Sequence, residues 1–222
     1  MCAKSTLTLA AALAATALAP AVGAQDATED VRRVQITYRN LTAGQPFSTS
    51  VFIAHSAGAP PLFVEGQPAS FELERLAEEG NVALLSSNAT TRLDGAFAAV
   101  AIGLPVQPGG EVSVILEVTP ENPLISGAFM LAHTNDGFAG IQDVDAFALT
   151  GPRTVELFAW DAGTENNNES GDDLIAMGGT ERDPEHGTVR PHQGLSDAGD
   201  APGLWKFDPE EPVAELIIEP VP

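Results

Sequence analysis

Between His133 and Glu165 the sequence gathers oxygen-bearing side chains at two places. One is His133-Thr134-Asn135-Asp136-Gly137-Phe138, followed a few residues later by Asp143-Val144-Asp145. The other is Trp160-Asp161-Ala162-Gly163-Thr164-Glu165, running on into Asn166-Asn167-Asn168. Carboxylates, side-chain amides and backbone carbonyls are hard oxygen donors, and calcium takes roughly six to eight of them. Gly137 and Gly163 let the backbone turn tightly enough for its own carbonyls to join. The chemistry these residues suit is a calcium site. The competing reading is turn chemistry, since Asp and Asn bond their own backbone and start turns without any ion.

Strands must deliver these groups. Ala128-Phe129-Met130-Leu131 and Val155-Glu156-Leu157-Phe158-Ala159-Trp160 are apolar, strand-like runs that each empty into the polar clusters. Val34 to Leu41, Thr49 to His55, Phe97 to Ile102, Glu111 to Val118 and Val213 to Glu219 carry further strand signals, separated by Gly/Pro-rich turns. Ser70 to Gly80 reads as the one helix: Ser70 caps it, Leu73, Leu76 and Ala77 share a face, and Gly80 ends it. Seven or eight strands with little helix predict an all-β fold, an antiparallel β-sandwich with one short helix and long acidic loops. The final strand must find a partner far away in sequence. The polar interval 166–212 is too long for an ordinary connection; it is expected to wrap near the ion site in part, anchored by Trp205-Lys206-Phe207. Asp172, Asp173 and Asp183 within it are either further ligands or solvated acids. Asp143 and Asp145 read as surface, with Asp145 an outside candidate, and Trp160 as packing that fixes how Asp161 leaves its strand.

The Asn135-Asp136-Gly137-Phe138 segment, the Asp-Val-Asp that follows and the Trp160-to-Glu165 run together resemble the spondin N-terminal domain family. Pro60-Pro61-Leu62-Phe63-Val64-Glu65-Gly66-Gln67-Pro68-Ala69-Ser70 and Leu76-Ala77-Glu78-Glu79-Gly80-Asn81 fit the same pattern, so the resemblance spans roughly residues 34 to 220. It implies a C2-like calcium-binding β-sandwich, found at the front of animal matrix proteins and as single-domain secreted proteins in bacteria. It further implies that Asp136, Asp161 and Glu165 are the metal ligands. Glu165 departs from the Asp carried by animal members and brings a longer side chain.

At the start of the chain, Lys4 precedes an Ala/Leu-rich stretch ending in Val22-Gly23-Ala24. That is the pattern of a cleaved signal peptide over residues 1–24, leaving a single domain over 25–222 that is secreted, either periplasmic or extracellular. Cys2, the sole cysteine, is expected to leave with it, so no disulfide or thiolate metal site is expected. The remaining nine basic residues face 31 acidic ones, a net charge near −22. Such a surface repels nucleic acid, anionic lipid and the heparin-like partners the resemblance would otherwise suggest, and it suits cations. No later apolar run is long enough to span a bilayer.

Catalysis finds little support. His55, His133, His186 and His192 lack metal-ligand spacing, and His55-Ser56 cannot form a nucleophile–base pair because neighbours on a strand face opposite ways. Asn40, Asn88 and Asn168 match the glycosylation acceptor pattern in a chain rich in Asn, Ser and Thr. Three functions remain: a non-enzymatic binding or adhesion module whose loops calcium orders toward an unidentified extracellular protein or glycan; a structural protein that calcium only stabilises; and a hydrolase using the acidic end. The first predicts an exposed apolar patch beside the loops, with Phe138 its candidate. The hydrolase predicts a concave pocket.

Overall fold

The computed structural model describes residues 30–91, 97–196 and 199–222; the expected signal segment lies outside the described residues. Ten strands and two short helices appear there in the order β1 (Arg32–Asn40), β2 (Ser50–His55), α1 (Phe71–Glu79), α2 (Ala83–Thr91), β3 (Phe97–Gly103), β4 (Glu111–Val118), β5 (Leu124–Met130), β6 (Gly137–Asp145), β7 (Arg153–Leu157), β8 (Trp160–Asp161), β9 (Arg190–Pro191) and β10 (Ala214–Val221). They form a four-stranded sheet ordered β4-β1-β10-β7 and a six-stranded sheet ordered β3-β2-β5-β6-β8-β9, with every pairing antiparallel. The expected all-β sandwich is present. The last strand runs the length of the first, from Arg33 opposite Val221 to Asn40 opposite Ala214, which brings the first and last described strands together.

Two apolar clusters flank the six-stranded sheet. Val34, Ile36 and Tyr38 of β1, Leu116 and Val118 of β4, and Leu216 and Ile218 of β10 meet Phe52, Phe129 and Ile141 between the sheets. Tyr38 and Phe47 pack on Phe129 with ring centroids 5.7 and 4.4 Å away. On the other face, Val51, Ile53 and Ala128 meet Leu73, Leu76 and Ala77 of α1 and Leu85 and Ala89 of α2. This double coverage explains why β2 reads as an unbroken buried run where β1 alternates.

Helix α1 has the expected ends. Leu73 N–H donates to Ser70 Oγ at 3.2 Å, and Gly80, with φ 64°, returns its N–H toward the last turn. The second helix corrects the one-helix expectation. Ala83-Leu84-Leu85-Ser86-Ser87-Asn88-Ala89 has almost no helical periodicity to reveal it; Asn81 starts it by accepting from Ala83 N–H at 3.0 Å, and packing of Leu85 and Ala89 sustains it.

A second correction concerns the run from Val155 to Trp160, which sequence periodicity reads as one strand. It is two. β7 pairs with β10 in the four-stranded sheet, Phe158 is exposed, and β8 pairs with β6 in the other sheet. The chain thus crosses the sandwich immediately before Asp161.

Candidate metal centre

The turn joining β5 to β6 fixes Asp136. Leu131 N–H donates to Gly137 O at 2.8 Å, Thr134 Oγ donates to Leu131 O at 2.7 Å, and Gly137 N–H donates to Thr134 Oγ at 2.8 Å. A Cβ on Gly137 would fall 2.5 Å from Thr134 Oγ, so this closure admits only glycine. Gly137 sits opposite Asp161 in the β6–β8 ladder, and Ala162 N–H donates to Asp136 O at 3.2 Å. The turn and the strand exit are therefore neighbours, and Asp136 and Asp161 lie side by side, both buried.

The two carboxylates are satisfied unequally. Asp161 accepts from Gly163 N–H at 2.7 Å and Asn167 Nδ2 at 2.6 Å, and pairs with Arg190 at 2.9 Å. Asp136 accepts through one oxygen only, from Thr164 N–H at 2.7 Å, Thr164 Oγ at 3.2 Å and Glu165 N–H at 3.1 Å. Its Oδ1 is buried without a partner, as is the neighbouring Asn135 Oδ1. Burial, then the charge of Asp161, push the Asp136 carboxyl up to about 7 against the pull of the Thr164 and Glu165 donors. Burial also raises Asp161, opposed by Gly163 N–H and Arg190.

Glu165 reaches the same cluster through its backbone, but its side chain turns elsewhere. Glu165 Oε1 accepts from Arg182 Nη1 at 2.7 Å. Of the three residues the resemblance implies as ligands, the fold brings two carboxylates together, one of them paired with Arg190, and turns the third toward Arg182. Among the described residues no three His, Cys, Asp or Glu side chains converge as a metal cage. Asp136 and Asp161 nonetheless fit a hard cation: both offer oxygen, one oxygen is unpaired and desolvated, and their mutual repulsion asks for positive charge. The rest of such a shell would come from Asn135, backbone carbonyls and water.

The polar interval wraps this end, as expected. Glu185 N–H donates to Thr164 O at 3.0 Å, Gly187 N–H to Gly163 O at 2.7 Å and Val189 N–H to Gln67 O at 2.9 Å, and β9 then adds to the sheet edge. Gly163, at φ 72°, is pressed so close that a Cβ would lie 2.5 Å from Thr188 N. Trp205 stacks on His133 with centroids 3.8 Å apart, and Phe207 packs against the core between the sheets. Asp173 and Asp183 both accept from Asn168 Nδ2, the latter at 3.2 Å, while Asp172 is exposed. Asp143 and Asp145 are exposed at the far end of β6, about 20–30 Å of strand away from Asp136. Trp160 is half-buried against Phe63 at 5.4 Å, holding β8 where Asp161 leaves it.

Phe138 corrects an expectation. It is fully buried, edge-on to Phe63 at 5.1 Å, because β6 turns it toward the helices. Among the described residues of the wrapping segment, the exposed large apolar side chains are Ile175, Met177 and Leu204. His55 is occupied structurally, its Nε2 2.8 Å from Ser126 Oγ.

Sequence reasoning missed the basic residues of the site. Arg182 pairs with Glu165, Glu78 and Glu79, and Arg190 with Asp161 and Glu185. Their signal was scarcity: with Lys206 they are the only cations between Asn166 and Pro212. Beside them lies a cleft of about 530 Å³ between α1 and the 182–187 segment, lined by Glu74, Arg75, Glu78, Glu165 and Arg182.

No described helix is long and apolar enough to cross a membrane. No curated protein sequence matches the chain. The family model Spondin_N matches residues 38–170, which runs from the last residues of β1 past the exit of β8 and takes in all three carboxylates. That match covers more than half of the sequence, and the chain belongs to the spondin N-terminal domain family.

Proposed function

We propose that this protein is a secreted, non-enzymatic binding or adhesion module that binds calcium at Asp136 and Asp161. The family supports an extracellular module of this type. The observation that carries the ion is Asp136 Oδ1, a buried carboxylate oxygen without a donor, set beside a second buried carboxylate. A buried charge left in that condition is destabilising unless it takes a proton or a cation. Calcium would supply the missing positive charge, with Asp136 and Asp161 holding it. Its effect would be to draw the β5–β6 turn, the β8 exit and the wrapping segment into one ordered end. The unidentified extracellular protein or glycan would meet that end, where Ile175 and Met177 are among the accessible apolar groups of the wrapping segment.

Burial of Phe138 favours a second reading, in which calcium serves only the stability of the fold. Thermal unfolding with calcium, with magnesium and with chelator tests the ion. A calcium-specific rise of the midpoint is expected, and its absence would remove the metal assignment. Hydrogen exchange over 166–190 separates the two readings: protection gained locally on calcium addition supports a recognition surface, and protection gained only in proportion to global stability supports the structural role.

A further inference from the structure

Glu165 is the one carboxylate of the three whose charge is met by a guanidinium of the wrapping segment's 182–187 arm. Arg182 Nη1 lies 2.7 Å from Glu165 Oε1 and 2.8 Å from Glu78 Oε2, and Nη2 lies 2.7 Å from Glu79 Oε1. The Glu165 and Glu78 side chains are 3% and 7% exposed, and that of Arg182 is 36% exposed. One guanidinium therefore serves three carboxylates. Arg75 also pairs with Glu79 and lies 4.0 Å from Glu78. Departure of Glu165 would leave Arg182 two carboxylate partners.

Glu165 is also within reach of the ion site. Its own amide nitrogen is 3.1 Å from Asp136 Oδ2, so its Cα stands one covalent bond beyond a hydrogen bond to the Asp136 carboxylate. Three side-chain torsions can swing the carboxylate between Arg182 and that neighbourhood. Resting on the proposed calcium site, we propose that Arg182 is a built-in competitor for Glu165: it holds the carboxylate when the ion is absent and yields it when a divalent cation binds Asp136 and Asp161. Both residues line the 530 Å³ cleft against α1, so the exchange changes the charge and wall of that cleft when the ion arrives. Cation binding is thereby coupled to the grip of the 182–187 arm on α1.

The test is calorimetric titration of calcium into the mature protein and its variants. Arg182→Gln is expected to tighten binding about tenfold, the scale of one relinquished charged contact. Arg75→Gln removes the same charge from the same cleft without touching Glu165 and is expected to change affinity by less than about threefold. In a Glu165→Gln background, Arg182→Gln is expected to give no tightening, since the competition has lost its object. If Arg182→Gln does not fold, Arg182→Lys, which loses the forked geometry, carries the test with a smaller tightening. Equal tightening by Arg75→Gln, or unchanged affinity in Arg182→Gln while the unaltered protein binds calcium, overturns the competition alone. Absence of binding in every protein overturns the ion site and the competition together.

Discussion

Replacing Asp136 by Asn tests the charge that the site cannot satisfy by itself. The substitution keeps an acceptor for Thr164 N–H and Glu165 N–H and removes the anion from a fully buried position. The Asp136 carboxyl, ordinarily near 3.8, titrates at about 7 in the folded chain. A group whose folded value is raised holds its proton more tightly when folded. The associated stability is fully present below 3.8 and is lost as pH rises through about 7. The difference between those two values corresponds to an upper limit of about 4 kcal/mol, at 1.36 kcal/mol per unit. In chelator at pH 8, Asp136→Asn should therefore be more stable than the unaltered protein by about 1–4 kcal/mol. Its urea midpoint should also lose the decline that the Asp136 carboxylate contributes between pH 4 and 7. Calcium acts against that difference. At a hundredfold excess over Kd the ion should stabilise the unaltered protein by about 2.7 kcal/mol, roughly 5–11 °C in a domain of this size, and Asp136→Asn by almost nothing. If Asp136→Asn is no more stable than the parent in chelator, the desolvated charge is not there. If it keeps the full calcium shift, Asp136 is not a ligand.

His192 acts over nearly the same pH window with the opposite sign. Burial, then the Arg190 charge, lower it to about 4, so its stability is present above 6.5 and lost as pH falls through 4; His192→Gln should remove that rise and leave the Asp136 decline uncompensated in the urea midpoint. Gly163→Ala should lower the unfolding free energy in urea by about 1–3 kcal/mol, because φ 72° and the Thr188 backbone both oppose a side chain. A calcium shift that survives this loss unchanged would separate the turn from the ion site. Phe138→Ala should cost about 3–5 kcal/mol in chemical denaturation as a core truncation, and a neutral result would contradict its burial.

The candidate residues were legible in the sequence because of how strands end. An apolar run that stops at Asn-Asp-Gly or at Asp-Ala-Gly has nowhere to place its next side chains except the rim of a sheet, and Gly137 and Gly163 mark where the backbone must close upon itself. The opposing residues were not legible. Arg182 stands 17 positions from Glu165 and more than a hundred from Glu78 and Glu79, and no local pattern relates them.

Composition and periodicity by themselves determined the class of fold, the capped helix α1, the pairing need of the final strand and the acidic excess, because each follows from local backbone preference or from a sum over residues. The tertiary structure alone decided that the Val155-to-Trp160 run changes sheets, that Phe138 faces inward, and that Asp136 keeps an unpaired oxygen while Glu165 is held by Arg182. Those outcomes depend on which distant surfaces meet. A side chain's solvation and its counter-charge are properties of the contact, and the contact exists only once the two sheets, the helices and the wrapping segment have closed on one another.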